Sequence, residues 1–321
     1  MPLSFRDIDF AVELPDIPAT SPVVGHTPPC ATERDDTIRA LAEVLRIDLK
    51  GTAQVPHGYA VGSDRGQVEV FSASGAVRAR NTERLTAYPD ERREWREVDR
   101  DRDGTFRLGD GTARHLIGYS QELLHRVGLA DEPSAVDVSL GQWARLDEDG
   151  TEVESGTGRA TVRFSYAVEG LALIGPGAKT NLHVDPGDDG RSPELARMFH
   201  VHRRGAIGGE VPTQSLEEAF AGLLAQSWSG RGIRDGEGRL TVTGATFGLL
   251  ALPADVVQTF AAPALMVEGE VSGVEVGGDE TVTVRFGQYL PLAHPKALAE
   301  AGYGGGVLEP GTVVRGRAKG R

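Results

Sequence analysis

The strongest constraint on the fold is a repeated order of patterns. A stripe of apolar residues at helical spacing occurs near residues 38, 116 and 216, and segments of alternating apolar residues follow each one. In the first stripe, Ile38, Leu41, Ala42 and Leu45 recur at i, i+3, i+4 and i+7. Asp35 or Asp36 can cap this helix, and Gly51 ends the segment. In the second, Leu116, Tyr119, Leu123, Leu124 and Val127 share a face, with Gly128 as a stop. In the third, Leu216, Ala219, Phe220, Leu223 and Leu224 follow a capping box, in which Ser215 and Glu218 can each satisfy an orphan amide of the other. Gly230 closes that segment.

Between the stripes the period is two. Strands are expected at Tyr59–Val61, Val68–Phe71, around Val77, at Val136–Leu140, over Val162–Val168 and at Leu182–Val184. After the third helix they are expected at Leu240–Val242, Phe247–Leu252, Leu265–Val271 and Val282–Tyr289. Residues 1–34 hold six prolines, and Ile8, Phe10, Val12 and Leu14 alternate, so this stretch is expected to be an extended arm strapped onto the body. The expected fold class is α+β: successive units of one helix packed on a curved antiparallel sheet, with an extended N-terminal arm. The expected divisions are an arm at 1–34, units at 35–108, 109–208 and 209–301, and a Gly-rich basic tail at 302–321.

Composition narrows the function classes. Of 321 residues, 39% are hydrophobic and 25% charged, enough for a packed core. The net charge of −13 repels phosphate backbones, so neither nucleic acid nor an anionic membrane is an expected partner. Cys30 is the one cysteine, which rules out an internal disulfide; as a nucleophile it would need an adjacent base. The first residues show no basic start followed by an apolar run, and no stretch approaches about 18 apolar residues. The expected location is cytoplasmic.

Residues 161–190 read TVRFSYAVEGLALIGPGAKTNLHVDPGDDG: an alternating strand, a Gly turn, a Gly-Pro-Gly bend, a second alternating strand and Asp-Gly. This order resembles the PepSY-like modules in propeptides of thermolysin-type and fungalysin-type proteases. It is similar also to related modules of proteins that restrain a cell-wall sensor kinase. The later segments GATFGLLALP, PALMVEGEV and FGQYLPLA resemble the last module of those regulators. The resemblance implies cystatin-like units and a non-catalytic role: inhibiting, chaperoning or holding another protein.

Three constellations have residue types suited to chemistry. Asp99, Asp101 and Asp103 precede Gly104, with Asp110 at the twelfth position, as in a helix-loop-helix calcium loop. Arg107 at the ninth position, and an Asp where a bidentate Glu belongs, fit a charged hairpin turn instead. His200 and His202 share a strand face if MFHVHRR is extended, and His183 with Asp185 could join them around zinc or iron. Plain strand histidines are the alternative. Tyr166, His183 and Tyr289, with Trp143, could line a small-molecule pocket in which Tyr and His move protons. Core packing with satisfied polar tips is the alternative.

The motifs of zinc proteases, elbow-type serine hydrolases, P-loop NTPases and Rossmann dehydrogenases are not found in the sequence. No cofactor is expected. The leading expectation is a non-catalytic binding or regulatory protein that holds a protein partner through a sheet face or edge. The rival is a cofactor-independent cyclase or isomerase acting on a small molecule.

Overall fold

A computed structural model describes residues 8–27, 31–86, 94–100, 106–187, 191–224, 238–277 and 280–303. Strands β1 (Ile8–Phe10) and β2 (Thr20–His26) precede helix α1 (Ala31–Leu45). A meander follows: β3 (Gly51–Val55), β4 (Gly58–Ser63), β5 (Gly66–Phe71) and β6 (Val77–Asn81). Helix α2 (Thr82–Thr86), the hairpin β7 (Val98–Arg100) and β8 (Phe106–Leu108), and helix α3 (Asp110–Arg126) lead into β9 (Ala135–Leu146) and β10 (Glu152–Ser165). Then come β11 (Ala167–Val168), β12 (Leu171–Ile174), β13 (Lys179–Pro186), β14 (Pro193–Val201), β15 (Gly205–Pro212) and helix α4 (Leu216–Leu224). The last elements are β16 (Arg239–Leu250), β17 (Phe260–Ala261), β18 (Pro263–Gly277), β19 (Glu280–Pro291) and helix α5 (Pro295–Glu300).

An eight-stranded antiparallel sheet, ordered β3-β4-β5-β6-β14-β13-β10-β9, dominates the molecule. Helices α1 and α3 bury their stripes in one core against it: Ile38, Leu41 and Leu45 from α1, and Leu116, Leu123 and Leu124 from α3. The sheet answers with Val68, Val77, Val162, Phe164, Leu182 and Met198. Full burial of a Leu or Phe contributes roughly 1.5–3 kcal/mol, so this layer is the main source of stability. Gly128, at φ +72, ends α3 in the left-handed region that glycine tolerates.

The second sheet is ordered β11-β12-β16-β18-β19, with β1 pairing parallel to β16. Helix α4 covers it with Ala219, Phe220 and Leu223, and Phe10 meets Phe220 edge-on at 5.6 Å. The capping box of α4 forms as its sequence demands: the Ser215 amide donates to Glu218 (2.9 Å), and the Glu218 amide donates to the Ser215 hydroxyl (3.2 Å). A third sheet, β15-β2-β17, draws its middle strand from the N-terminal arm. Between β10 and β13 the chain leaves the large sheet, adds β11 and β12 to the second sheet, and returns. Gly177 lies on that return, where the Leu252 carbonyl leaves no room for a Cβ. Among the described residues, no helix is long and apolar enough to cross a membrane.

This architecture corrects the α+β, cystatin-like expectation. Of the described residues, 53% are in strands and 19% in helices, and the helices do not each sit on a sheet of their own. Helices α1 and α3 share one sheet, because β6 pairs with β14 and joins strands on either side of residue 108. The sequence signal misled for a physical reason. Gly141 and Gly156 lie inside strands of 12 and 14 residues, longer than the expected segments Val136–Leu140 and Val162–Val168. At Gly269 a Cβ would strike the Thr241 carbonyl and the Phe286 ring, so close packing rather than a turn requires the glycine.

Met198 sits fully buried in the strand that joins the two halves of the sheet. Met198→Ala is expected to cost about 2–5 kcal/mol. In calorimetry it should lower one cooperative transition. Two separate transitions would show that β3–β6 fold apart from the rest.

Candidate functional site

The eight-stranded sheet has two unlike faces. Alternation sends Val68, Val70, Val77, Ala79, Met198, Leu182 and Val162 toward the helices. Their neighbours in sequence point the other way and line up across six strands. Cross-strand partners give one row of Glu69, Arg78, Phe199, Asn181, Arg163 and Asp137. The adjacent row runs Gln67, Arg80, Arg197, His183, Thr161 and Ser139.

The first row is balanced in charge. The Glu69 carboxylate is almost sealed from solvent. It accepts from Arg78 Nε (2.9 Å) and Nη2, from His57 Nε2 (3.1 Å) and from Gln67. Burial would raise its pKa, but these donors hold it below the usual carboxylate range. His57 stacks on Phe71 at 4.1 Å, and Phe71 meets Phe199 at 5.9 Å, closing one end of the face. At the far end Arg163 pairs with Asp137 (3.0 Å). Nearby, Arg159 pairs with Asp185 (2.6 Å).

The second row contains no carboxylate. Arg80 and Arg197 stand directly opposite each other, and Arg80 reaches Glu69 only at 3.9 Å. His183 lies beside Arg197, its Nδ1 3.2 Å from the Thr161 hydroxyl. Burial, then the charges of Arg197, Arg159 and Arg163, push His183 down to about 4, so its ring is neutral at pH 7. Arg80 Nε, Arg197 Nε and Asn181 Oδ1 are buried, and none has a hydrogen-bond partner among the described residues.

The helix side holds a dry polar chain. Tyr166 Oη lies 2.6 Å from Thr180 Oγ1, which lies 2.7 Å from His200 Nδ1. Tyr166 is 2% exposed and His200 3%, so both are core residues whose tips are satisfied within the protein. Burial pushes Tyr166 up to about 12 and His200 down to about 3, which keeps both neutral. If the Tyr166 hydroxyl donates to Thr180, the Thr180 hydroxyl donates to His200 Nδ1 and the ring proton sits on Nε2. His202 stacks on Tyr166 at 4.2 Å and meets Asp131 through Nδ1 at 2.9 Å, while Arg204 approaches the same carboxylate at 3.4 Å. Burial raises the Asp131 pKa, and His202 and Arg204 more than offset this.

The residues singled out from sequence are therefore dispersed. His200 and His202 share the helix side, whereas His183 lies on the opposite face, so the three imidazoles do not converge. Tyr289 packs with Ile174 and Met266 on the second sheet, away from Tyr166 and His183. Trp143 lies over Gly156 and donates to the Thr157 carbonyl (3.1 Å). Asp99 is on β7 opposite Arg107, and Asp101 and Asp103 lie outside the described residues. Among the described residues, no group of three or more His, Cys, Asp and Glu side chains is placed to hold a metal ion. The sequence reading passed over Arg78, Arg80 and Arg197. Their signal was arginine alternating with apolar residues, twice in VRARN and once in ARMF, which reads as ordinary solvated strand until the strands are paired.

No family model matches the chain, and no curated protein matches it. Among solved structures, it is similar to an uncharacterized protein from Eubacterium rectale ATCC 33656, with a TM-score of 0.48 and 7% identity over 89% of this chain and 87% of that one.

The buried histidines give the stability a pH dependence of defined sign. His26 is pushed down to about 4 by burial and by Arg203 and His202, alongside His183 and His200. Between these values and about 6.5 the unfolded chain binds more protons than the folded one, so stability falls as pH falls. His200 alone can contribute at most about 1.4 kcal/mol per pH unit in that window. Chemical denaturation should give a lower midpoint at pH 5 than at pH 7, and His200→Gln should flatten the slope. Equal midpoints at both pH values would contradict the buried neutral state.

Proposed function

We propose that this is a non-catalytic binding protein that holds a protein partner on the open face of its eight-stranded sheet. One observation carries the reading: two arginine-rich rows, polar but for Phe199, run across six strands on the face opposite α1 and α3. Polar side chains fixed at strand spacing offer a partner a rigid, pre-organised surface. The resemblance of residues 161–190 to propeptide-like modules implies the same holding role. The rival, a cofactor-independent cyclase or isomerase, needs Tyr166, His183 and Tyr289 around one substrate, and their dispersal over two sheets and two faces gives it less support. The acidic chain disfavours nucleic acid and anionic membrane as partners, and we place the protein in the cytoplasm.

Native mass spectrometry of the protein purified gently from its host is the test. A stoichiometric protein adduct is expected. Arg163→Glu, at a half-exposed position on the open face, should reduce that adduct about tenfold or more. Arg285→Glu, beside Glu270 on the second sheet, should leave it intact. A bare chain, or equal retention by both variants, would remove this reading.

A further inference from the structure

The open face contains one electrostatic mismatch. Arg78 has Glu69, Arg163 has Asp137 and Arg159 has Asp185. Arg80 and Arg197 instead face each other across the β6–β14 pair. Like charges directly opposite on a sheet are destabilising. Among the described residues the carboxylate paired with Arg80 is Glu69, at 3.9 Å, and it is already occupied by Arg78, His57 and Gln67. No carboxylate pairs with Arg197 among the described residues. The Nε groups of both arginines are buried without an acceptor, although each guanidinium is built to donate in a planar fork. Beside them, His183 Nδ1 lies 3.2 Å from the Thr161 hydroxyl; where that hydroxyl donates, the ring proton sits on Nε2 and makes it a donor.

Buried Nε donors without acceptors, and two cations whose shared carboxylate, Glu69, is distant and already engaged, point to one missing oxyanion. We propose that Arg80, Arg197 and His183 form a binding site for a single carboxylate, supplied by an Asp or Glu side chain of the partner held on this face. This deepens the binding reading above and rests on it. Arginines at directly opposite positions can each direct paired N–H groups at one carboxylate, and such charge-assisted bonds are the strong ones. The charge of the whole chain, −13, opposes a polyanion, whereas a single carboxylate lies close enough for the two guanidiniums to dominate. A ligand that relieves the repulsion between Arg80 and Arg197 also explains why the pair persists despite its cost.

The test uses the full chain and ¹H–¹⁵N spectra of the arginine Nε–H groups. The probes are N-acetyl-glutamate N-methylamide, its glutamine counterpart and inorganic phosphate, at matched ionic strength. The glutamate probe should shift the Arg80 and Arg197 signals saturably, and the glutamine probe should not. Arg197→Gln and Arg80→Gln should each weaken binding about tenfold or more, Arg197→Lys less so, and Arg163→Gln little. Without ligand, Arg197→Gln should melt no lower than the parent chain, since it removes repulsion, so a loss of binding would not reflect a loss of fold. If the glutamate probe leaves both signals unmoved, or binds Arg197→Gln as well as the parent, the site is overturned, whatever adduct native mass spectrometry finds. If phosphate binds tenfold more tightly than the glutamate probe, the site takes a free anion and the assignment to a partner side chain fails. If the glutamate probe binds while no protein adduct exists, the site stands as a carboxylate site and its assignment to a protein partner falls.

Discussion

The pairing of β6 with β14 is the constraint from which most of the structure follows. Residues 77–80 meet residues 197–200 in antiparallel register, and this seam turns a four-strand meander and a second group of four strands into one sheet. On the helix side it places Ala79 beside Met198 and lets α1 and α3 share one core. On the other side it places Arg80 opposite Arg197. A slip of one residue would exchange the two sets, burying guanidiniums under the helices and exposing the methionine. The large apolar core therefore fixes the register, and the polar arrangement of the open face follows from it.

The two faces solve the problem of polar groups in opposite ways. On the helix side, Tyr166, Thr180 and His200 form a closed chain of neutral hydrogen bonds. Burial keeps the end groups uncharged, so the chain needs no counter-ion and stabilises by satisfying every member. On the open face, charge is kept and mostly matched, with Glu69 as the hub for three donor side chains. Like charges opposite each other on a sheet are costly unless paired, and Arg80 and Arg197, with only Glu69 at 3.9 Å from Arg80 among the described residues, stand out against their surroundings.

Local order was largely legible. The stripes at Ile38–Leu45, Leu116–Val127 and Leu216–Leu224 coincide with α1, α3 and α4, because 3.6-residue periodicity and the Ser215–Glu218 cap are local properties. Strand extents were not legible. The expected strand Val136–Leu140 stops before Gly141, whereas β9 runs on to Leu146, and close contacts from other parts of the chain accommodate Gly141 and Gly156 inside long strands. The α+β expectation failed for the same reason: each helix was assigned a sheet of its own, when nothing local says which strand edges will join.

The site divides along the same line. Sequence alone offered residue types: Tyr166, His183 and Tyr289 as a catalytic set, and His200 and His202 as metal ligands. Only the tertiary structure decided which of them meet. His183 pairs opposite Arg197 and not His200, so it shares a face with arginines while His200 turns inward to Thr180. Side-chain direction in a strand depends on parity within that strand, whereas proximity depends on register between strands distant in sequence. The first is written locally. The second is set by the packing of the whole core.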